Sequence, residues 1–151
     1  MAVFAVCCSD GANHNAVKYT KNDNKHIVNF NLFADGKSKR PDFISFIIKF
    51  PAGFNFYTFL NSNIDMKFMC EINNYTASLT DIDIEFKYKS QPQLLQSHKI
   101  RLVSGVNNIE IPIKDMNIDG LKQISEICFV CWESYVTEIE GMFSVENIQV
   151  R

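Results

Sequence analysis

The chain has 151 residues, of which 46% are apolar and 21% charged, with 15 basic and 17 acidic side chains and a net charge of −2. That balance suits one folded domain and argues against disorder. It offers no basic stripe for nucleic acid, and no apolar run nears the ~18 residues of a membrane-spanning helix.

The opening MAVFAVCC (1–8) is apolar but short. It has no Lys or Arg before it and no small-residue cleavage site after it, so it reads as a first strand and not as a signal peptide. HIVNFNL (26–32) then sets Val28, Phe30 and Leu32 on one face against Asn29 and Asn31. After the turn-rich ADGKSKRPD (34–42), FISFIIKF (43–50) sets Ile44, Phe46, Ile48 and Phe50 against Ser45 and Lys49. PAG (51–53) and NSN (61–63) are further turn signals. IDMKFMCEI (64–72) and IDIEFKY (82–88) alternate in the same way, with Asp65, Lys67, Asp83, Glu85 and Lys87 on their polar sides. Each run has the period of two expected of a half-buried strand.

HKIRLV (98–103) and NIEIPI (108–113) continue the pattern, and SGVNN (104–108) separates them at hairpin distance. Pro112 donates no ladder hydrogen bond, which predicts an edge strand or a bulge there. DMNIDGLKQIS (115–125) is mildly helical through Ile118, Leu121 and Ile124. EICFVCW (126–132) sends Ile127 and Phe129 to the core and Trp132 to the opposite face. In the final GMFSVENIQV (141–150) the apolar positions slip from Phe143 and Val145 to Ile148 and Val150. One extra residue would flip every later side chain, so the slip predicts a bulge at Glu146-Asn147. The whole reads as a single all-β domain over residues 1–151, a two-sheet antiparallel β-sandwich of jelly-roll type with roughly nine to eleven strands.

The cysteines are Cys7, Cys8, Cys70, Cys128 and Cys131, an odd set without the regular spacing of a disulfide framework. Cys128 and Cys131 lie three apart in a strand, point to opposite faces and cannot share a metal or a bond there. Free thiols fit a reducing compartment if the chain is complete.

The residues VNNIEIPIKDMNIDGLKQISEICFVCW (106–132) and EGMFSVENIQV (140–150) resemble the closing half of β-sandwich carbohydrate-binding modules of the galactose-binding-like superfamily. The matching positions are Ile111-Pro112-Ile113, Leu121, Ile124, Ile127, Phe129, Gly141, Phe143, Val145 and Ile148, with Glu146-Asn147 where the pattern has Asp-Asn. NAVKYTKNDNKHIVNFNL (15–32) is similar to the early paired strands of such modules. The resemblance implies a polysaccharide or oligosaccharide ligand and a glycoside hydrolase or other carbohydrate-active enzyme as fused or associated partner. It also implies a secreted or cell-surface setting, if the domain is part of a larger protein. Related sandwiches often hold a structural calcium between their first and last strands. Glu146, Asn147 and Asp10 would be its oxygen donors here, and no other cofactor is required.

Sugar binding needs flat aromatic faces and polar groups for hydroxyls. Outside the core pattern stand Tyr57, Phe59, Tyr75, Trp132 and Tyr135, and the polar strand faces offer Asp65, Lys67, Glu71, Asp83, Glu85, Lys87, Lys99 and Arg101. Trp132 with Tyr135 forms the leading stacking platform, with Glu133 available to a hydroxyl; the alternative has Trp132 capping the core, its N–H on a loop carbonyl. Nothing marks a catalytic cleft. Asp83 and Glu85 share one strand face, and the three His residues lack metal spacing. A structural or oligomerisation sandwich appended to a carbohydrate-active enzyme is the second functional class.

Overall fold

Each alternating run becomes a strand in the computed structural model, which describes residues 2–8, 16–31, 41–51, 54–70, 72–73, 76–77, 79–103 apart from 89–93, 105–115, 124–135 and 140–151. In chain order the strands are β1 (Val3–Cys8), β2 (Val17–Asn22), β3 (Lys25–Asn31), β4 (Phe43–Lys49), β5 (Asn63–Cys70), β6 (Ile72–Asn73), β7 (Thr76–Ala77), β8 (Asp81–Tyr88), β9 (Leu94–Arg101), β10 (Gly105–Pro112), β11 (Ile124–Trp132) and β12 (Glu140–Val150). Ten of them form two five-stranded antiparallel sheets, ordered β1-β4-β11-β8-β9 and β10-β5-β12-β3-β2. β6 and β7 make a separate two-stranded ladder, so the run 64–72 splits after Cys70. This is the expected jelly-roll sandwich, and no helix among the described residues is long and apolar enough to cross a membrane.

The inward side of each strand carries the apolar set that the alternation assigns to it. Val28, Phe30, Ile44, Phe46, Ile48, Ile64, Met66, Phe68, Ile82, Ile84, Phe86, Ile109, Ile111, Ile127, Phe129, Phe143 and Val145 form one buried cluster between the sheets. Its centre is aromatic: Phe46 and Phe129 lie 5.7 Å apart by ring centroid, and Phe68 and Phe143 stack at 5.1 Å. Packing of this kind supplies most of the driving force for folding, because the rings leave water and interdigitate at crystal-like density.

β10 is an edge strand, which explains how Pro112 is tolerated. The slip in the last strand is a bulge. Glu146 pairs with Lys67 and Gln149 with Asp65, so Asn147 and Ile148 together face only Met66, and Asn147 takes a left-handed φ of 55°. The extra residue returns Ile148 to the core side, where it packs on the cluster, while Val150 beyond it is 40% exposed.

One expectation fails. SGVNN does not close a hairpin: β9 and β10 belong to different sheets, and the chain crosses between them after Arg101. The Asn107 side chain holds the crossing by accepting from the Val103 N–H at 2.8 Å and donating to the Val103 and Gly105 carbonyls. A polar side chain that mimics a turn in this way cannot be told from a hairpin by composition. Of the run 115–125, read as mildly helical, 116–123 lie outside the described residues; Asp115 ends a 3-10 turn, Ile113–Asp115, and Ile124 pairs with Tyr88 as the first residue of β11.

All five cysteines are free. Cys131 sits in the core cluster, whereas Cys128 is absent from it and is acted on by Lys87, Glu126 and Glu85 of the outer face. The two thiols therefore point to opposite sides of β11, and burial pushes the Cys128 thiol up to about 12.

Candidate functional site

β11 is the central strand of the first sheet, so its outward residues lie in the middle of that sheet's outer face. Cys128 pairs with Glu85 and Val130 with Asp83 on β8, and Asp83 pairs with Lys99 on β9. Trp132 ends the strand opposite Phe43 of β4. Period-two alternation thus gathers Trp132, Asp83 and Lys99 on one outer corner.

Trp132 is 37% exposed and does not cap the core. Its indole lies 5.4 Å by ring centroid from Phe43 in a T-shaped contact, and its Nε1–H donates to Asp83 Oδ2 at 2.9 Å. The partner is a carboxylate on the neighbouring strand and not a loop carbonyl. The same carboxylate accepts the Tyr135 hydroxyl at 3.1 and 3.2 Å. Lys99 Nζ lies 5.0 Å from the centre of the Tyr135 ring, a cation on an aromatic face. Desolvation, with the Asp83 hydrogen bond and charge, pushes the Tyr135 phenol up to about 12, so it remains a donor throughout the neutral range.

The backbone fixes the platform as firmly. Glu133–Tyr135 is a 3-10 turn that continues directly from β11. The Glu133 N–H donates to the Asp42 carbonyl at 2.8 Å, and the Tyr135 carbonyl accepts from the Thr80 N–H at 2.8 Å. Asp42 and Thr80 immediately precede β4 and β8, the two strands flanking β11, so the turn is tied to both neighbours. Two aromatic groups held in this way lose little further freedom when a ligand stacks on them.

Of the other anticipated residues, Arg101 is exposed on β9 beside Asp81, next along the outer face from Lys99. Glu133 is exposed at the rim. Lys87 is on the same face but four residues from Asp83, about 13 Å along β8, opposite Glu126. Between them Glu85 is held above the usual carboxylate range by burial. Tyr57 belongs to a 3-10 helix, Phe56–Phe59, that follows the end of β4 opposite to the one paired with Trp132. Tyr75 and Asp10 lie outside the described residues.

Of the expected calcium donors, Glu146 and Asn147 come together at the bulge, and Asp10 is not among the described residues. Asn147 Oδ1 accepts from Asn24 Nδ2, and no group of three or more His, Cys, Asp or Glu side chains that could hold a metal occurs among them. Sequence reasoning offered Asp83 only as one of the charges of a polar strand face, with nothing to mark it as the shared partner of two aromatic groups 49 and 52 positions away.

No family model matches this chain, and no curated protein matches it significantly. Among solved structures it is similar over 98% of its length to part of an agarase, at 13% identity and a TM-score of 0.67, and spans only 22% of that chain. It is similar over 99% of its length to the family 30 carbohydrate-binding module of a cellulosomal cellulase of Clostridium thermocellum, at 8% identity and a TM-score of 0.62, covering 91% of that chain. The family 11 carbohydrate-binding module of another cellulosomal cellulase of that organism gives 17% identity and a TM-score of 0.59, over 97% of this chain and 86% of that one. The chain has the β-sandwich fold of these modules.

Proposed function

We propose that this domain is a non-catalytic carbohydrate-binding module. A polysaccharide or oligosaccharide would lie on the outer face of the β1-β4-β11-β8-β9 sheet, with a sugar ring stacked on Trp132. The observation that carries the reading is the solvent-facing indole of Trp132, fixed by the same Asp83 carboxylate that fixes Tyr135. An indole face attracts the polarised C–H groups of a sugar ring, and a fixed ring loses little entropy on contact. Around it, Lys99, Arg101 and Glu133 supply donors and acceptors for hydroxyls.

The modules and the agarase with this fold support the ligand class, and association with a glycoside hydrolase is the setting the reading implies. The test is affinity electrophoresis in gels containing agarose, soluble cellulose derivatives or other polysaccharides. The wild-type protein is expected to be retarded by at least one of them, and Trp132→Ala to migrate as in a glycan-free gel with its fold intact by circular dichroism. A protein retarded by no glycan, whose mass rises with concentration, would instead point to a structural sandwich. If the wild type and Trp132→Ala are equally retarded, the site lies elsewhere.

A further inference from the structure

At the end of the sandwich away from Trp132, the second sheet has a missing corner. β3 starts at Lys25 opposite Glu146, whereas β12 continues to Val150 with β5 on one side only. The bulge lies at the step, and an Asn24–Asn147 hydrogen bond spans it. The resulting notch encloses 1020 Å³ and opens from the outer face into the space between the sheets. Small-molecule sites run from about 300 to 1,000 Å³, so this one is at the large end of the range.

Its walls divide by chemistry. The inner part is carbon: Phe4, Ile48, Phe50, Phe54, Ile64 and Ile148, drawn from both sheets and from the loop after β4. The one ring nitrogen there belongs to His26, whose Nδ1 is 2.8 Å from the Tyr19 hydroxyl and whose ring lies 4.1 Å from Phe4. Among the described residues the rim balances the side chains of Lys21, Lys67 and Arg151 against those of Asp23, Asp65 and Glu110, three of each sign. Arg151 Nε is 2.8 Å from Asp65 Oδ2, and Glu110 accepts from Asn63. The carboxamides of Asn24, Asn108, Asn147 and Gln149 complete the rim with donors and acceptors in equal supply.

We infer that the notch is a second binding site, for a neutral amphiphile: an apolar tail entering between the sheets and an uncharged, hydroxyl-bearing head at the rim. A charge-balanced rim gives no net attraction to an anionic or cationic head, and carboxamides suit hydroxyls, which both donate and accept. The carbon-lined interior rewards a tail and gives nothing to a purely polar ligand. The inference is independent of the Trp132 platform.

The test is methyl NMR of the full chain titrated with octyl β-D-glucopyranoside below its micelle concentration, and separately with octanoate and with glucose. Saturable shifts of the Ile64 and Ile148 methyl signals are expected with the glucoside, at an affinity about tenfold or more above that for octanoate or glucose, a gap of about 1.4 kcal/mol. Trp132→Ala should leave that titration unchanged. Glu110→Gln, which tilts the rim toward positive charge, should narrow the gap to octanoate. Octanoate binding as tightly as the glucoside would overturn the neutral head, and glucose doing so would overturn the tail. Shifts at the exposed Val3 and Val103 as large as at Ile64 would mean detergent coating and overturn the site.

Discussion

At the Asp42 end of the first sheet, Trp132 and Tyr135 stand outside the sandwich and are held by hydrogen bonds to Asp83, whereas at the opposite end Phe4, Phe50 and Phe54 turn inward around a notch. The difference follows from the rings themselves. An indole or a phenol carries one polar group that must keep a partner, and a carboxylate on the sheet surface provides it without burying the ring. A phenyl ring has no such group, gains only by leaving water, and so collects on the inner side. Each end exposes aromatic surface, but one does so as a fixed flat face and the other as a concave lining. Those shapes suit different ligands.

The sharpest way to break this comparison is to show that the outer aromatics are load-sharing members of the core. Phe129→Ala, at a fully buried position on the inner side of the same strand, should cost about 3–5 kcal/mol in urea unfolding. Trp132→Ala should cost less, about 1.5–3 kcal/mol for the hydrogen bond lost to a carboxylate. Equal losses would make Trp132 a core residue and remove the platform. Smaller again is the effect expected at the bulge that shapes the other end. Asn147→Val places a β-branched residue at a φ of 55°, with an expected cost of about 1–2 kcal/mol, while Asn147→Gly should restore most of it.

The smallest expected effect is a pH dependence at the notch. Burial, with Lys21 nearby, holds the His26 pKa below its ordinary 6.5. The unfolded chain therefore takes up the proton first. Stability is complete above about pH 6.5 and declines as pH falls through that value toward the folded pKa. His26→Gln should flatten this part of the urea-midpoint-versus-pH curve, and an unchanged curve would show that the imidazole is not desolvated in the fold.

Much of this molecule is readable from alternation alone, because a strand with one buried face must repeat every two residues. The inward sets on β3, β4, β5, β8, β10 and β11 and the slip at Glu146-Asn147 follow from that rule, and the edge position of Pro112 follows from its missing N–H. Strand partners do not. That β8 lies beside β11, and so brings Asp83 to Trp132, depends on long-range pairing that no local pattern encodes. The placing of the segment with Tyr57 has the same origin: because β4 and β11 are antiparallel, the turns that follow them leave opposite ends of the sheet, which no local pattern encodes. The notch was invisible for a further reason, since it depends on where one hairpin stops relative to the strand it pairs with. Composition also failed at residues 104–108, where turn chemistry serves equally well to close a hairpin or to carry the chain from one sheet to the other.

The central places of β11 and β12 have a consequence for how the chain comes together. Before residues 124–150 are available, the first sheet exists only as the separate pairs β1–β4 and β8–β9, and the second only as β2–β3 and β5–β10. As the polypeptide emerges during synthesis, the facing edges of β4, β8, β3 and β5 stay open, each a template for pairing with another chain. Both sheets are then completed by insertion into preformed gaps, a step dominated by contacts distant in sequence and therefore slow. A ribosome that stalls before residue 124 would leave two half-sheets with unsatisfied inner edges, the species from which aggregation of this domain is expected to begin.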